Sequence, residues 1–118
     1  MTIKKSWAPD RGEVIWINCS PHMGKEMKDF HPFLVLSPKR FNEHTGIVIG
    51  LPMTTASFNE TNPFAIKVVS NHQKISYILT HQPKSFDWRV RGAKPHPMKT
   101  IDNNILRNAY EALNQIIE

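Results

Sequence analysis

With 118 residues, 40% of them hydrophobic, the chain is expected to form one domain over residues 1–118 that buries roughly 60–70% of its unfolded surface. The single cysteine, Cys19, excludes an internal disulfide and any paired-thiol zinc or redox motif. Neither a signal peptide behind Lys4 and Lys5 nor an uncharged bilayer-spanning stretch is present, so a soluble protein in a reducing, cytoplasmic setting is expected. Fifteen Lys and Arg against ten Asp and Glu leave a net charge of +5, which favours polyanionic partners without requiring one.

Residues 1–12 are polar, and Pro9-Asp10-Arg11-Gly12 reads as a turn. A first strand runs from Glu13 to about Asn18, with Val14 and Trp16 on one face and Ile15 and Ile17 on the other, a pattern that predicts burial on both sides. Between Cys19 and Phe30 no periodicity survives, and a connection of this length in a small domain is usually functional. The second strand, Phe33 to Ser37, is fenced by Pro32 and Pro38. The third, Ile47 to Leu51, is fenced by Gly46 and Pro52. One helical turn is expected between them at Lys39 to Asn42. If these two strands pair antiparallel, His31 and Thr54 share one end of the sheet.

A polar loop over Pro52 to Pro63 precedes strands at Phe64 to Val69 and Ile75 to Thr80, and Ser85 to Val90 reads as a further short strand. Pro95 and Pro97 are expected to exclude regular structure up to the last element. That element is a helix from about Asp102 to Ile117, with Ile105, Leu106, Ala109, Leu113, Ile116 and Ile117 on one stripe and Thr100 or Asp102 as its N-cap. Short strands set by hairpins, followed by a terminal helix, predict a mainly β fold, a small antiparallel barrel with a C-terminal α-helix.

The six histidines, His22, His31, His44, His72, His81 and His96, include no pair at helical ligand spacing and have no cysteine partner, so neither a metal nor another cofactor is expected. Cys19 and Ser20 lack a nucleophile elbow. What remains is an acid–base set of His31, Thr54 and His81, since an imidazole with an unperturbed pKa near 6.5 suits proton transfer and a neighbouring hydroxyl suits an oxyanion. From His81 to Lys99, basic residues alternate with Phe86 and Trp88. That pattern suits single-stranded nucleic acid, with cations on phosphate and rings on bases, and equally suits a solvated edge with both rings turned into the core.

At these residues the chain resembles the MazF/PemK family of type II toxin–antitoxin endoribonucleases. The resemblance is carried by Pro9 to Trp16, by Pro21-His22-Met23-Gly24-Lys25-Glu26, by Pro32 to Pro38, by Leu51-Pro52-Met53-Thr54-Thr55 and by His81-Gln82-Pro83-Lys84-Ser85, five motifs in family order. It implies an SH3-like barrel of the CcdB/MazF toxin type and a homodimer neutralised by an acidic antitoxin. It also implies sequence-specific, metal-independent cleavage of single-stranded RNA, mRNA included, to 2′,3′-cyclic phosphate and 5′-hydroxyl ends, with translation and growth inhibited. Carried over residue by residue, Thr54 keeps the family's threonine, while His31 stands where relatives have arginine and His81 where they often have aspartate. The two imidazoles would then be the acid and the base, giving a bell-shaped pH profile. Lys25, Lys28, Lys84 and Arg89 are the expected phosphate contacts, with Thr55 and Gln82 completing the RNA-binding set. The alternatives are a CcdB-like gyrase-binding toxin, whose resemblance depends on a tryptophan near the C-terminus that is lacking here, and a catalytically weakened nucleic-acid-binding barrel.

Overall fold

The alternation at 13–18 forms an inner strand, next to the edge, of a curled antiparallel sheet. The computed structural model describes residues 7–21 and 29–117. Its strands are β1 (Glu13–Asn18), β2 (Phe30–Val35), β3 (Ile47–Thr54), β4 (Ala65–Val69), β5 (Ile75–Leu79), β6 (Lys84–Asp87) and β7 (Lys94–Thr100). The helices are α1 (Lys39–Thr45) and α2 (Asn103–Ile117), with a 3₁₀ helix at Ser57–Thr61. Neighbouring strands follow the order β4-β5-β3-β2-β1-β7, and β6 adds to β3. The small antiparallel barrel with a C-terminal helix is thus borne out as a half-barrel, in which no described residues of β4 and β7 pair with each other.

Each face of the sheet has its own core. Val14, Leu34, Leu36, Leu51, Met53, Val68 and Ile78 gather under α2, which contributes Ala109 with Ile105, Leu106, Tyr110 and Leu113 packed around it. Ile15, Ile17, Phe33, Val35, Val48 and Trp88 fill the opposite face. Alternation along β1 therefore feeds both cores, as the sequence predicts. The α2 stripe is only partly used, because Ile116 and Ile117 stay exposed. Its N-cap is Asp102, whose carboxylate accepts the Asn104 N–H at 2.7 Å.

Three expectations about prolines are corrected. β2 starts at Phe30 and β3 runs on to Thr54, so Pro32 and Pro52 lie within strands instead of fencing them. A strand admits a proline where its missing donor has no ladder partner to serve. Pro32 faces Trp16 of β1 but precedes the paired part of β2 with β3, which begins at Phe33. Pro52 falls between Gly50, the last β3 residue paired with β6, and Met53, the first paired with β5. Pro95 and Pro97, expected to exclude regular structure, sit in β7, the outermost strand beside β1. Prolines two apart remove donors from the same side of a strand, and an outer strand has one side to spare.

The helical turn at 39–42 continues to Thr45 and ends on Gly46, whose φ of 75° is the left-handed conformation that closes a helix. Buried Asn42 of α1 ties three segments together. Its amide donates to the Pro9 and Ser37 carbonyls at 2.8 and 3.0 Å, and its own carbonyl accepts the Trp88 indole N–H at 2.8 Å. Trp88 is 6% exposed and Phe86 packs on Phe33 at 5.5 Å. Of the two readings of the aromatic–basic stretch, the structure takes the one in which these rings belong to the core.

Candidate active site

The site lies where the sheet forks. Along one edge β3 pairs with β2; along the other it pairs with β6 from Ile47 to Gly50 and with β5 at Met53 and Thr54. β5 and β6 diverge at this point, and their connection, 80–83, stands beside the last residues of β3. The β2–β3 register pairs Phe33 with Pro52. Continued by two residues, it sets His31 opposite Thr54, the juxtaposition expected from sequence.

A groove of about 410 Å³ opens at the fork. Its walls are Cys19 and Pro21 from the chain leaving β1, His31 from β2, Pro52, Met53 and Thr54 from β3, and Leu79, Gln82, Lys84, Phe86 and Arg91 from the β5–β6 side. Among the described residues it brings together an exposed imidazole, a half-buried hydroxyl, an amide and two cations, with no carboxylate in the lining. A site of this charge suits an anion. The Thr54 hydroxyl oxygen accepts the Ala56 N–H at 3.2 Å, which fixes the oxygen and leaves its hydrogen for a further acceptor.

Arg91 is the groove residue that the sequence reading missed. Its guanidinium donates to the Asn18 and Ser20 carbonyls at 3.0 and 2.8 Å and lies 4.8 Å from the Phe86 ring centre. It therefore both anchors the chain leaving β1 and brings charge to the wall. Cys19 is the other addition. Burial pushes its thiol above the ordinary cysteine range, outweighing the opposite pull of Arg91 and Lys84, so it stays a neutral thiol.

Three further expected residues, Arg89, Thr55 and His81, are described and do not line the groove. Arg89 stacks on Trp88 at 4.5 Å and donates to the Glu43 carbonyl of α1 at 2.9 Å. Thr55 is exposed past the end of β3. His81 stands behind Gln82, with its Nε2 3.2 Å from the Gln82 amide nitrogen and its ring 5.7 Å from that of Phe64. Lys25 and Lys28 lie outside the described residues. No group of three His, Cys, Asp or Glu able to hold a metal occurs among the described residues.

Residues 10–117 match the family described as PemK-like, MazF-like toxin of type II toxin–antitoxin system. The chain belongs to this family. Among its relatives, the endoribonuclease toxin MazF of Escherichia coli K12 is 38% identical over 87 residues, which span 74% of this chain and 76% of that protein. Endoribonuclease PemK of Escherichia coli is 28% identical over 101 residues, spanning 82% and 76% of the two chains. The crystal structure of MazF from Deinococcus radiodurans superposes with a TM-score of 0.81 at 27% identity, covering 95% of this toxin and 98% of that chain. No described helix of the toxin is long and apolar enough to cross a membrane.

Proposed function

We propose that this toxin is a metal-independent endoribonuclease that cuts single-stranded RNA at the fork groove. The observation that carries the reading is the meeting of His31, Thr54, Lys84 and Arg91 around one groove whose described lining lacks carboxylates, in a chain 38% identical to an endoribonuclease toxin. His31 takes the proton of a ribose 2′-hydroxyl as its oxygen bonds to the adjacent phosphorus. The bond from phosphorus to the 5′-oxygen breaks, the leaving oxygen takes its proton from water, and the ends are a 2′,3′-cyclic phosphate and a 5′-hydroxyl. Thr54 donates to a non-bridging oxygen as charge builds there, and Lys84 and Arg91 hold the phosphate. Positive charge that a metal would otherwise supply comes from these two side chains. In this reading His81 moves no proton, because Gln82 lines the groove and His81 does not. Arg89 and Thr55 make no direct contact, whereas Lys25 and Lys28 keep their expected role on phosphate.

Unpaired strands can bring the 2′-oxygen in line with the leaving oxygen, while an A-form duplex holds it out of line, so duplex RNA should resist. As a type II toxin the chain has an antitoxin partner, for which the +5 charge favours an acidic segment; assembly as a homodimer in the cytoplasm completes the proposal. The family match disfavours the gyrase-binding alternative. The test is incubation of single-stranded and duplex RNA with the purified toxin in EDTA, with the ends identified by mass spectrometry. Cyclic phosphate ends from the single strand alone are expected; a strict magnesium requirement or equal cutting of the duplex contradicts the proposal.

A further inference from the structure

We infer that Gln82 reads a base of the bound RNA through its amide N–H groups, and that His81 is the positioning residue that aims them; the inference rests on the ribonuclease reading above. Gln82 lines the groove with Thr54 and Lys84. Beside it, His81 Nε2 lies 3.2 Å from the Gln82 amide, while His81 Nδ1 is buried with no hydrogen-bond partner among the described residues. The imidazole is held in place by its packing on Phe64.

Two arrangements satisfy the close contact. In the first, Gln82 donates an N–H to a bare His81 Nε2, which puts the imidazole proton on Nδ1 and buries a donor with no acceptor. In the second, His81 carries its proton on Nε2 and donates it to the Gln82 amide oxygen, and Nδ1 keeps an unshared lone pair. Of the two buried defects, the orphaned N–H is the rarer in native structures. The nitrogen and oxygen ends of a side-chain amide are nearly alike in shape, so the hydrogen-bond partners decide which end faces which way. The second arrangement holds, with the amide oxygen on His81 and both Gln82 N–H groups left for the groove.

What those N–H groups take is an acceptor. Lys84 and Arg91 already serve the phosphate, which leaves the edge of an unpaired base, through a carbonyl oxygen or ring nitrogen, as the partner for Gln82. Hydrogen bonding to base edges splayed from single strands is how RNA sequence is read. His81 thus contributes to specificity without touching the RNA: it decides that the amide presents donors.

Two measurements test this. In the free full-length toxin, ¹⁵N NMR of the imidazoles gives the His81 tautomer, expected as Nε2–H; an Nδ1–H tautomer overturns the inference. Cleavage-site profiling on a randomised single-stranded RNA then compares the wild type with Gln82→Glu and His81→Phe, the latter keeping a ring on Phe64 without an N–H. Gln82→Glu, which replaces the donors by acceptors, should change the preferred base at one position. His81→Phe should flatten the preference at that same position and raise KM about fivefold, the equivalent of one neutral hydrogen bond, with the loss falling on KM more than on kcat; His81→Gln, which retains a donor, should recover part of it. An unchanged profile in either Gln82→Glu or His81→Phe, with the wild type cutting, overturns this inference alone. A wild type that cuts no RNA overturns the ribonuclease reading and the base contact with it.

Discussion

Asn42 shows at the scale of one residue how the frame behind the groove is held. It is fully buried, and its side chain accepts the Ser37 hydroxyl at 2.5 Å while donating to the Pro9 and Ser37 carbonyls. Asn42→Leu has nearly the same size but leaves those groups unpaired, and each buried orphan costs about 1–3 kcal/mol. Urea unfolding should show a loss of about 3 kcal/mol or more; a loss within the error of the fit would mean that water replaces the amide. Nothing in the sequence marks this asparagine as structural, because all its partners except Ser37 are distant in the chain. The same limit hid Arg91. Arg89 and Arg91 are two residues apart and chemically identical, and only the turn after β6 sends one to α1 and the other to the groove. His31 and Thr54 were legible because antiparallel pairing follows from two short strand patterns and a connection between them.

At the scale of elements, β3 carries the architecture of the site. It pairs with three strands, and Gly50 lies where β2 and β6 both flank it. A Cβ at Gly50 would stand 2.0 Å from the Leu34 carbonyl oxygen and 2.7 Å from the Phe33 ring, and a backbone carbonyl cannot move aside as a side-chain tip can. Gly50→Ala is therefore expected to destabilise the fold by about 3 kcal/mol or more, within the range of severe core overpacking, and to disturb the fork. Thermal melts check this, and an unchanged melting temperature would show that β2 and β3 separate without cost. Strand patterns revealed where β1, β4 and β5 run. Prolines misled at β2, β3 and β7, because whether a missing donor matters depends on which neighbours a strand has, and that is a property of the sheet rather than of the strand.

Across the whole molecule, pH acts on stability through a group that does not line the groove. His96 of β7 packs on Trp16 at 4.5 Å and its Nδ1 accepts the Met98 N–H at 3.0 Å. Burial, with a smaller contribution from Lys74, holds its imidazole below the ordinary value of 6.5. The unfolded chain therefore takes up the proton first as pH falls. The stability this histidine contributes is complete above about 6.5 and is lost as pH drops through the lowered folded value. His96→Phe, which keeps the contact with Trp16 but cannot titrate, should be less stable at neutral pH for want of the Met98 acceptor, yet show a shallower decline into acid. Parallel declines in urea titrations of the two proteins would remove His96 from this role.

The central claim is that the fork groove cuts RNA through His31 and Thr54. Its most direct test is the single-turnover rate of cleavage of one single-stranded RNA in EDTA by the wild type, His31→Ala and Thr54→Val, each shown by thermal melt to be folded. Removing the base should lower the rate by roughly 10²–10⁴, while removing the hydroxyl should cost on the order of 10²–10³. A folded His31→Ala that cuts at the wild-type rate would contradict the account.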